Sequence, residues 1–407
     1  MGSEPVLVVG GGAAGLFCAG IARRRGIPVT VLERSARPAR KVLITGKGRC
    51  NLTNHCTVEE FFPRVCTNSR FLYSALRGFS PQDTMALFEQ LGVPLKTERG
   101  DRVFPVSDRA ADVADALVRL CGEQNIRTNT RVKEVLAREG EVRGLLLEDG
   151  RELPAQRVVL ATGGLSYPAT GSTGDGYRMA AALGHTVVPP RPALVPLVTR
   201  ERWCGELMGL SLRNVTLTLY SPAGKVLFRE LGEMLFTHFG VSGPLVLSAS
   251  SHLSGELERY RMEIDLKPGL DAAQLDARLL RDFSEVPNRD FANALDKLLP
   301  RKLIPVAVRL SGIPPATKVN AITREQRRGF GALLKALPLT PKAFRPVEEA
   351  IVTAGGVSVK EVNPKTMESK LVKGLYFAGE LLDVDAVTGG FNLQIAWSTG
   401  FAAANNF

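Results

Sequence analysis

The pattern of hydrophobic and polar positions near the N-terminus predicts a strand, a helix and a second strand in succession. The apolar run at 5–9 (PVLVV) is continuous, as in a strand buried on both faces of a parallel sheet, and it leads directly into the glycine cluster at 10–15 (GGGAAG). Residues 13–25 supply the helix, and the run at 28–32 (PVTVL) predicts a second strand that ends at Glu33. This order predicts a βαβ unit with glycines at the end of its first strand.

The spacing of the glycines and of Glu33 indicates a dinucleotide-binding site. Gly10 permits the tight turn, Gly12 lets the backbone approach a pyrophosphate, and Gly15 allows close packing of the helix, whose N-terminus would hold the phosphate. Glu33 lies 18 residues after Gly15 and would accept hydrogen bonds from the ribose hydroxyls of an adenosine. Its negative charge argues against a 2′-phosphate, so we expect that the tightly held dinucleotide is not NADP.

Two further apolar runs end in glycine, and they favour FAD over NAD because a flavin site of this architecture draws on distant parts of the chain. The run at 158–164 (VVLATGG) predicts a strand end beside the cofactor, and 171–176 (GSTGDG) opens another helix. The run at 374–380 (GLYFAGE) predicts a third such strand end, and 389–394 (GGFNLQ) begins the last helix. Amides at the N-terminus of that helix could stabilise the negative charge of reduced flavin.

Length and composition indicate an ordinary multi-domain globular protein. At 407 residues we expect two or three domains, and no apolar run reaches the roughly 18 residues that a membrane span needs. The start MGSEPVLVVGGG has no cationic leader, so we expect a cytoplasmic protein. The six cysteines form no CxxC pair and have no metal-ligand spacing, so we expect reduced thiols and no metal site.

The charge distribution brings a polyanionic partner into consideration. The 52 Lys and Arg residues against 41 Asp and Glu give a net charge of +11, and the excess is concentrated between 20 and 50 and between 297 and 345. Such stretches suit phosphate contacts of an RNA. They equally suit solvated helix faces and arginines that face the phosphates of a cofactor.

The sequence resembles the HI0933-like flavoprotein family, which also covers aminoacetone-oxidase and BaiN-type proteins. The resemblance is nearly full length. It rests on GGGAAG at 10–15, KVLITGKGRCNLTN at 41–54 and RVFPVSDRAADVADAL at 102–117, and on the ATGG, GDG, FTHFGVSGP and GELLDVDAVTGGFNLQIAWSTG segments. It implies an α/β, two-dinucleotide-binding-type FAD fold (Rossmann-like) with an inserted β-barrel plus helical domain.

The pattern of the middle of the chain agrees with such an insert. Short β-like runs dominate from 193 to 266, with a hairpin turn at 221–224 (SPAG), whereas 271–337 carries helical patterns that are broken at prolines. We expect a discontinuous FAD-binding domain over 1–190 and 340–407, a β-rich barrel domain over 191–268 and a helical domain over 269–339.

The residues expected to contact tightly bound FAD lie at the strand ends, in the glycine-rich loop at 45–51 and at the last helix. They are Gly10, Gly12, Ala13, Ala14, Gly15, Glu33, Arg34, Lys41, Gly46, Gly48, Arg49, Cys50, Asn51, Val132, Ala161, Thr162, Gly163, Gly164, Asp175, Gly379, Glu380, Gly390, Phe391, Asn392, Leu393 and Gln394.

The candidates for catalysis and substrate binding each have a structural alternative. Cys50 could face the substrate as a proton donor, or it could be an inert packing residue. His238 could be a substrate ligand or an acid, or a histidine that neighbouring backbone satisfies at a domain junction. Arg102 and Phe104 have the same ambiguity as candidate substrate contacts.

Three functions compete. The first is reduction of a conjugated carbon–carbon double bond, with NAD(P)H as a transient electron donor; the resemblance implies uridine of large-subunit ribosomal RNA or an unsaturated steroid acid as substrate. The second is oxidation of a small amine such as aminoacetone, and the third is a flavin-bearing RNA-binding factor without turnover. RNA is favoured by the basic residues Lys302, Lys318, Arg324, Arg327 and Arg328, whereas an aromatic content of only 6% argues against it.

Overall fold

A computed structural model of the chain describes residues 5–407 and divides the chain into two compact units. The first unit comprises the chain up to Ala193 together with Pro346–Phe407, and the second comprises Leu194–Arg345. Each unit has its own core of buried apolar side chains. The sequence placed the corresponding boundaries after 190 and after 339, and the subdivision of the insert into a barrel domain and a helical domain stays a prediction.

The chain forms strands and helices in alternation. The strands are β1 (Val6–Val9), β2 (Val29–Leu32), β3 (Thr53–Asn54), β4 (Leu95–Glu98), β5 (Arg102–Pro105), β6 (Ile126–Arg127), β7 (Val132–Arg138), β8 (Glu141–Leu147), β9 (Glu152–Pro154), β10 (Val158–Leu160), β11 (Val187–Ala193), β12 (Leu197–Thr199), β13 (Ser211–Tyr220), β14 (Val226–Phe236), β15 (Gly240–Ser242), β16 (Arg261–Asp265), β17 (Leu337–Leu339), β18 (Pro341–Phe344), β19 (Val352–Val357) and β20 (Leu375–Phe377). The α-helices are α1 (Ala13–Arg24), α2 (Arg40–Ile44), α3 (Val58–Phe61), α4 (Tyr73–Gly78), α5 (Pro81–Gln90), α6 (Ala110–Cys121), α7 (Asp175–Ala182), α8 (Trp203–Glu206), α9 (Pro244–Ser250), α10 (Ala272–Ser284), α11 (Ile304–Ser311), α12 (Arg324–Lys335) and α13 (Phe391–Ala404).

A parallel sheet with the strand order β20-β10-β1-β2-β6 organises the first unit. All four strand pairings are parallel; β1 lies in the middle and pairs with β2 on one side and β10 on the other. The three inner strands are almost entirely buried, which explains why their sequences are continuous apolar runs. The α/β FAD-type fold that the sequence predicted is confirmed, and the carboxyl ends of these strands lie at one edge of the sheet.

The last helix, α13, lies in the core of the same unit, against α1. It is hydrophobic on all sides, as expected for a buried helix. Gly400 permits the close contact, because a Cβ there would stand 2.9 Å from the carbonyl oxygen of Ala14. The Thr399 hydroxyl donates to the carbonyl of Ile395 (2.6 Å) and accepts the Gly379 N–H (3.0 Å), so α13 also supports the end of β20.

An antiparallel sheet with the strand order β17-β16-β13-β14-β15-β12-β18 organises the second unit. The hairpin turn predicted at 221–224 joins β13 to β14, and the Ser221 N–H donates to the Lys225 carbonyl (2.8 Å). Only Thr340 separates β17 from β18, which stand at opposite ends of this order, so the sheet must curve until its edges meet. Phe291 and Phe330 pack edge to face (5.1 Å between ring centroids) in the core of this unit.

No helix among residues 5–407 combines the length and the apolar character that crossing a bilayer requires.

A buried histidine links α7 to the segment before β20. The His185 ring lies edge to face on Phe377 (4.8 Å), with Nε2 at 2.9 Å from the Ser369 Oγ and Nδ1 at 3.4 Å from a Glu361 carboxylate oxygen. The Ser369 Oγ already accepts the N–H groups of Leu371 (3.0 Å) and Val372 (2.8 Å), so this serine shapes a turn and has no lone pair left for attack on a substrate. The Ser-His-Glu cluster is therefore a structural connection.

The His185 connection makes stability depend on pH. Burial lowers the pKa of His185 and outweighs the opposing effect of the Glu361 charge, so the folded protein binds a proton at this position less readily than the unfolded chain. Stability should fall as the pH drops through about 6.5, the ordinary histidine pKa. We expect the His185→Gln variant to lose part of this dependence, as measured by melting temperature between neutral pH and mildly acidic pH. An unchanged slope would contradict the assignment.

Candidate active site

The three glycine-rich strand ends meet at the carboxyl edge of the parallel sheet. The Gly10 N–H donates to the Leu32 carbonyl (2.9 Å), and the Ala161 N–H donates to the Val9 carbonyl (2.9 Å). The Ala378 N–H in turn donates to the Leu160 carbonyl (3.1 Å). The segments that begin at 10, 161 and 378 therefore lie side by side, as expected for a site at the carboxyl ends of parallel strands.

The glycines of the first cluster have different roles. A Cβ at Gly10 would stand 2.6 Å from the Ala161 carbonyl oxygen, and a Cβ at Gly15 would overlap the carbonyl oxygen of Gly10. These two glycines are thus required by packing within the protein itself. A Cβ at Gly12 would meet no protein atom within 4 Å. Gly12 therefore leaves open space at the start of α1, where a phosphate would bind.

Glu33 is fixed at the end of β2 by backbone donors. Its carboxylate is buried and accepts the N–H groups of Gly11 (2.8 Å) and Ser35 (2.7 Å). Two of the roughly four lone-pair directions of a carboxylate stay available for ribose hydroxyls. The Thr130 N–H donates to the Glu33 carbonyl (2.9 Å), which brings the chain just before Val132 to the same strand end.

Arg34 and Asp175, both predicted from the sequence, form an ion pair with each other at 3.0 Å. Arg131 and Arg178 also reach the Asp175 carboxylate, at 3.4 Å and 3.5 Å. Burial by itself would raise the pKa of Asp175, but these guanidinium groups outweigh it and hold the pKa below its ordinary value. Asp175 is therefore ionised, and it orients basic side chains near the predicted adenosine end.

A polar cluster joins Lys41, Ser166 and Glu380 at the ends of β10 and β20. The Lys41 ammonium donates to Glu380 (2.6 Å) and to the Ser166 hydroxyl (2.7 Å). The other Glu380 oxygen accepts from the Ser166 hydroxyl (3.0 Å) and from the Thr353 N–H (2.8 Å). Nearby, the buried Thr162 hydroxyl has no hydrogen-bond partner among the described residues. The strand ends thus combine fixed charges with a hydroxyl that a ligand group could satisfy.

The loop at 45–51 lies against the N-terminus of α13. In the orientation that satisfies both ends of its amide, the Asn51 side chain accepts the Gly390 N–H (3.0 Å) and donates to the carbonyls of Thr53 and Val103. Gly390 has a φ of 96°, and a Cβ there would overlap the Thr53 carbonyl oxygen. Gly46 and Gly48, with φ of 56° and 82°, let this loop turn. The sequence predicted both segments, and the structure brings them together.

The N-termini of α1 and α13 have the character of anion sites. Both helices begin after a glycine N-cap without a side-chain hydrogen bond, whereas α3, α5, α10 and α12 begin with complete capping boxes. The first-turn N–H groups of α1 and α13 are therefore left to other acceptors. Together with the space at Gly12 and the Thr162 hydroxyl, these features fit a bound dinucleotide with a flavin at the α13 end.

The side chains of the first turns of α13, which the sequence assigned to FAD contact, form contacts within the protein. The Gln394 amide is fully buried. Its oxygen accepts hydrogen bonds from the Thr53 and Thr84 hydroxyls, and its nitrogen donates to the Phe79 carbonyl and the Ser398 hydroxyl. The Asn392 amide accepts the Ala386 N–H (3.0 Å) and donates to the Ala386 carbonyl (2.8 Å), and Phe391 packs on Phe61. These side chains hold neighbouring loops in place. Direct contact of Asn392, Leu393 or Gln394 with FAD stays a prediction.

Arg49 and Phe104 are brought together, but the charge of Arg49 is already paired. Its guanidinium lies 4.2 Å from the Phe104 ring centroid, donates to Asp108 (2.7 Å) and forms an ion pair with Glu98. The Arg49 guanidinium and Lys96 hold the pKa values of Glu98 and Asp108 below their ordinary range. Arg102 stands at the other side of the cluster, 5.8 Å from the same ring. The cluster fixes the loop at 45–51 against β4 and β5.

The two candidate proton donors lie in different units and in opposite environments. Cys50 belongs to the first unit and is fully buried; burial raises the pKa of its thiol to about 12, which makes it a weak acid at neutral pH. His238 belongs to the second unit, is exposed and packs edge to face on Phe239 (4.9 Å). Proton donation by either residue stays a prediction.

The basic residues proposed for RNA contact are only partly available. Arg327 is held by Asp276 (2.7 Å) with its side chain 12% exposed, Lys318 is paired with Asp290 (2.7 Å), and Lys302 donates to the Met208 carbonyl. Arg324 and Arg328 are exposed at the start of α12, on either side of the paired Arg327. The structure thus leaves these two as the candidates for phosphate contact within the predicted set.

Asp383 and Asp385 were missed by the sequence reasoning. Both are buried, in the loop between β20 and α13. The available signal was the run LLDVDAV at 381–387, in which two acids interrupt an apolar segment between two glycine clusters. Acids in such a position are buried at a cost, which is a common property of functional sites.

Comparison with known proteins gives consistent results. A sequence model of the family described as HI0933-like protein Rossmann domain matches residues 4–406. The 3-dehydro-bile acid delta(4,6)-reductase of Clostridium scindens is 34% identical over 405 residues, which cover 97% of each chain. The ribosomal RNA dihydrouridine synthase of Escherichia coli is 34% identical over 404 residues, which cover 98% of this chain and 97% of that protein.

A solved structure is similar in fold. An Escherichia coli quinol fumarate reductase FrdA chain matches with a TM-score of 0.50 and 17% identity, covering 99% of this chain and 69% of that chain. This likeness concerns the fold alone.

The open space at Gly12 predicts a selective loss of cofactor binding. Gly12→Ala adds a methyl group that meets no protein atom, so we expect the stability of the apoprotein to change by no more than about 1 kcal/mol. A phosphate held at the α1 N-terminus would be displaced, and we expect the Kd for FAD to rise at least tenfold. Fluorescence titration of apoprotein with FAD and thermal unfolding measure the two quantities.

Gly78→Ala is the matched control, because a Cβ at Gly78 also meets no protein atom within 4 Å and this glycine ends α4. Its FAD affinity should equal that of the wild type. Equal FAD affinity of the Gly12→Ala variant would refute the placement of the phosphate.

Proposed function

Because the chain belongs to the HI0933-like family and is an FAD-dependent oxidoreductase, we propose that it reduces a conjugated carbon–carbon double bond, with NAD(P)H as the transient electron donor. The names of both relatives support this reaction class. A delta(4,6)-reductase of a 3-dehydro bile acid and a synthase of dihydrouridine both saturate a double bond that is conjugated to a carbonyl group. FAD, when bound, supplies the hydride for such a reaction.

The protein's own contribution is binding, orientation and electrostatics. The uncapped N-termini of α1 and α13 would hold negative charge at the pyrophosphate and at the flavin ring of the cofactor, respectively. The Lys41–Glu380 pair and the Asn51 amide fix the strand ends and the loop at 45–51 around the space between them. The remaining requirement of the reaction is a proton for the carbon next to the one that receives the hydride.

We favour uridine of large-subunit ribosomal RNA as the substrate. The second unit carries 22 Lys and Arg residues against 15 Asp and Glu, which suits a polyanion. Arg324 and Arg328 are exposed in the first two turns of α12, and Arg324, at the first helical position, opposes the helix dipole and so costs stability. Basic residues retained in such a position are consistent with phosphate contacts.

An unsaturated bile acid is the alternative substrate, since the Clostridium scindens reductase is as similar to this chain as the ribosomal RNA enzyme is. The deciding experiment starts with anaerobic titration of the flavin protein with NADH and NADPH. The reduced protein is then mixed with unmodified large-subunit ribosomal RNA or with a 3-oxo-4,6-diene bile acid. Recovery of the flavin absorbance by RNA alone supports the uridine reaction; recovery by the bile acid alone replaces it. If neither acceptor restores the absorbance, the proposed reaction class is wrong.

Charge reversal on α12 tests the RNA contact. We expect Arg324→Glu combined with Arg328→Glu to weaken RNA binding at least tenfold and to lower the salt dependence of log K by about 2, since each phosphate contact contributes about one unit of slope. Filter binding at several salt concentrations measures both. Lys133→Glu with Arg138→Glu, exposed on β7 in the first unit, makes the same change in net charge and is the control. Equal effects of the two double variants would argue against a specific contact.

Cys50→Ala tests the thiol as the proton donor. Because the Cys50 thiol is buried and its pKa is raised to about 12, we expect turnover within about threefold of the wild type once FAD content has been matched. Steady-state kinetics of the preferred acceptor provide the measurement. A loss of a hundredfold or more with normal flavin reduction would instead assign the proton donation to Cys50.

A further inference from the structure

Two carboxyl side chains lie buried in the loop between β20 and α13, and the site described above does not use them. Asp383 is 8% exposed and Asp385 is 1% exposed. Along the chain, both aspartates lie between Glu380 and Gly390, two residues that the sequence assigns to the flavin site.

The loop is held in one position by hydrogen bonds at nearly every step. The Asp383 N–H donates to the Val357 carbonyl (2.9 Å), and the Asp385 carbonyl accepts the Cys66 N–H (2.8 Å). Ala386 is held through both of its backbone groups by the Asn392 side chain, in the first turn of α13. The backbone that carries both carboxyl groups therefore has a fixed position, and Ala386 ties it to the first turn of α13.

The two carboxyl groups differ in their partners. One oxygen of Asp383 accepts from the Asn68 amide (2.9 Å). Neither carboxyl oxygen of Asp385 has a partner in hydrogen-bonding geometry among the described residues. The groups that face the pair from the surrounding elements are Thr67 and Asn68 from the segment before α4, Tyr177 from α7, Arg191 from β11 and the Gly355 N–H from β19.

The charges of the groups around Asp383 and Asp385 favour one bound proton on the pair. Among the facing groups just named, Arg191 is the one cation, and it acts on both carboxyl groups. One guanidinium balances one carboxylate, so two ionised carboxyl groups would leave an unbalanced negative charge in a buried place, which is unfavourable. Burial raises the pKa of both groups, the Asp383 charge raises that of Asp385 further, and Thr67 and Arg191 offset only part of this.

We propose that Asp383 and Asp385 share one proton at neutral pH and that this pair is the proton store of the flavin site. This role rests on the proposed function, in which hydride goes to one carbon of the double bond and a proton goes to its neighbour. One O–H bond of the pair breaks as the new C–H bond forms, and the pair, left with two negative charges, takes a proton back from water. Because the pair is enclosed, a bridging water gives its proton to the carbon and takes the aspartate proton in exchange, so both aspartates act through that water as positioning residues.

The shared proton has a direct spectroscopic signature. A protonated carboxyl group has an infrared C=O band that is distinct from the carboxylate bands and shifts in deuterium oxide. We expect this band in the wild type at neutral pH and its loss in both Asp383→Asn and Asp385→Asn. Asp282→Asn is the control, because Asp282 is as buried as Asp383 but its carboxyl group is paired with the Arg278 guanidinium (2.7 Å). Absence of the band from the wild type would overturn the proposal, and this observation needs no variant to fold.

The pH dependence of stability gives an independent measurement on the same proton. Since the folded-state pKa values of both groups are raised, their contribution to stability is complete below the ordinary aspartate pKa of about 3.9 and is lost as the pH rises through the folded-state values. Asparagine imitates the protonated group at all pH values. The melting temperature of Asp385→Asn should therefore fall less than that of the wild type between mildly acidic and mildly alkaline pH.

The kinetic experiment separates this role from the proposed function. In Asp385→Asn we expect NAD(P)H to reduce the flavin at the wild-type rate, because that step needs no proton from the pair, whereas reoxidation by the preferred acceptor slows at least tenfold and loses its dependence on pH. If wild-type protein reduces no double bond but shows the carboxyl band, the proposed function fails and the shared proton stands. If the band is present and reoxidation of the variant is unchanged, the role as proton store is overturned.

Discussion

The parallel pairing of β1 with β2 and β10 is the constraint on which the rest of the first unit depends. Parallel pairing aligns the carboxyl ends of strands that are far apart in the chain, so the segments that follow Val9, Leu32 and Leu160 must meet at one edge. The edge is crowded, since a Cβ at Gly10 would press on the Ala161 carbonyl. Glycine at position 10 is therefore required by packing within the protein, whereas Gly12 leaves open space for a phosphate.

The acids along this edge show how environment decides the state of one chemical group. Glu33 receives two backbone N–H groups, and Asp175 receives three guanidinium groups that keep it ionised in spite of burial. Glu380 is clamped by a lysine and a serine. Asp385 is buried, and because Thr67 and Arg191 offset only part of the effect of burial, its pKa rises. The pKa values of carboxyl groups within one unit are thus shifted in opposite directions, and in the proposed role of Asp383 and Asp385 this supplies the site with both fixed charge and a proton.

Rigidity around the site comes from polar side chains that never reach the solvent. Gln394 ties α13 to Thr53, Thr84 and Phe79, and the Trp397 indole donates to the Leu52 carbonyl (2.8 Å). Because each of these buried groups has its partners within the protein, the protein's own hydrogen bonds fix the loop at 45–54 and the first turn of α13. A pre-formed site of this kind loses little free energy to ordering when it binds a cofactor.

The sequence by itself determined the α/β fold, the βαβ unit and the glycine-rich strand ends, because each depends on local pattern: apolar runs buried on both faces, glycines where backbones approach, and an acid at the second strand end. The partners of a charge do not follow from local pattern. Only the tertiary structure showed that Arg327 forms an ion pair with Asp276 and that Arg49 forms ion pairs with Glu98 and Asp108. It also showed that the Gln394 side chain hydrogen-bonds within the protein core. The same holds for Asp383 and Asp385, whose protonation depends on groups contributed by three separate parts of the chain: β11, β19 and the segment before α4. Distances between charges, and the burial around them, exist only once the chain has folded.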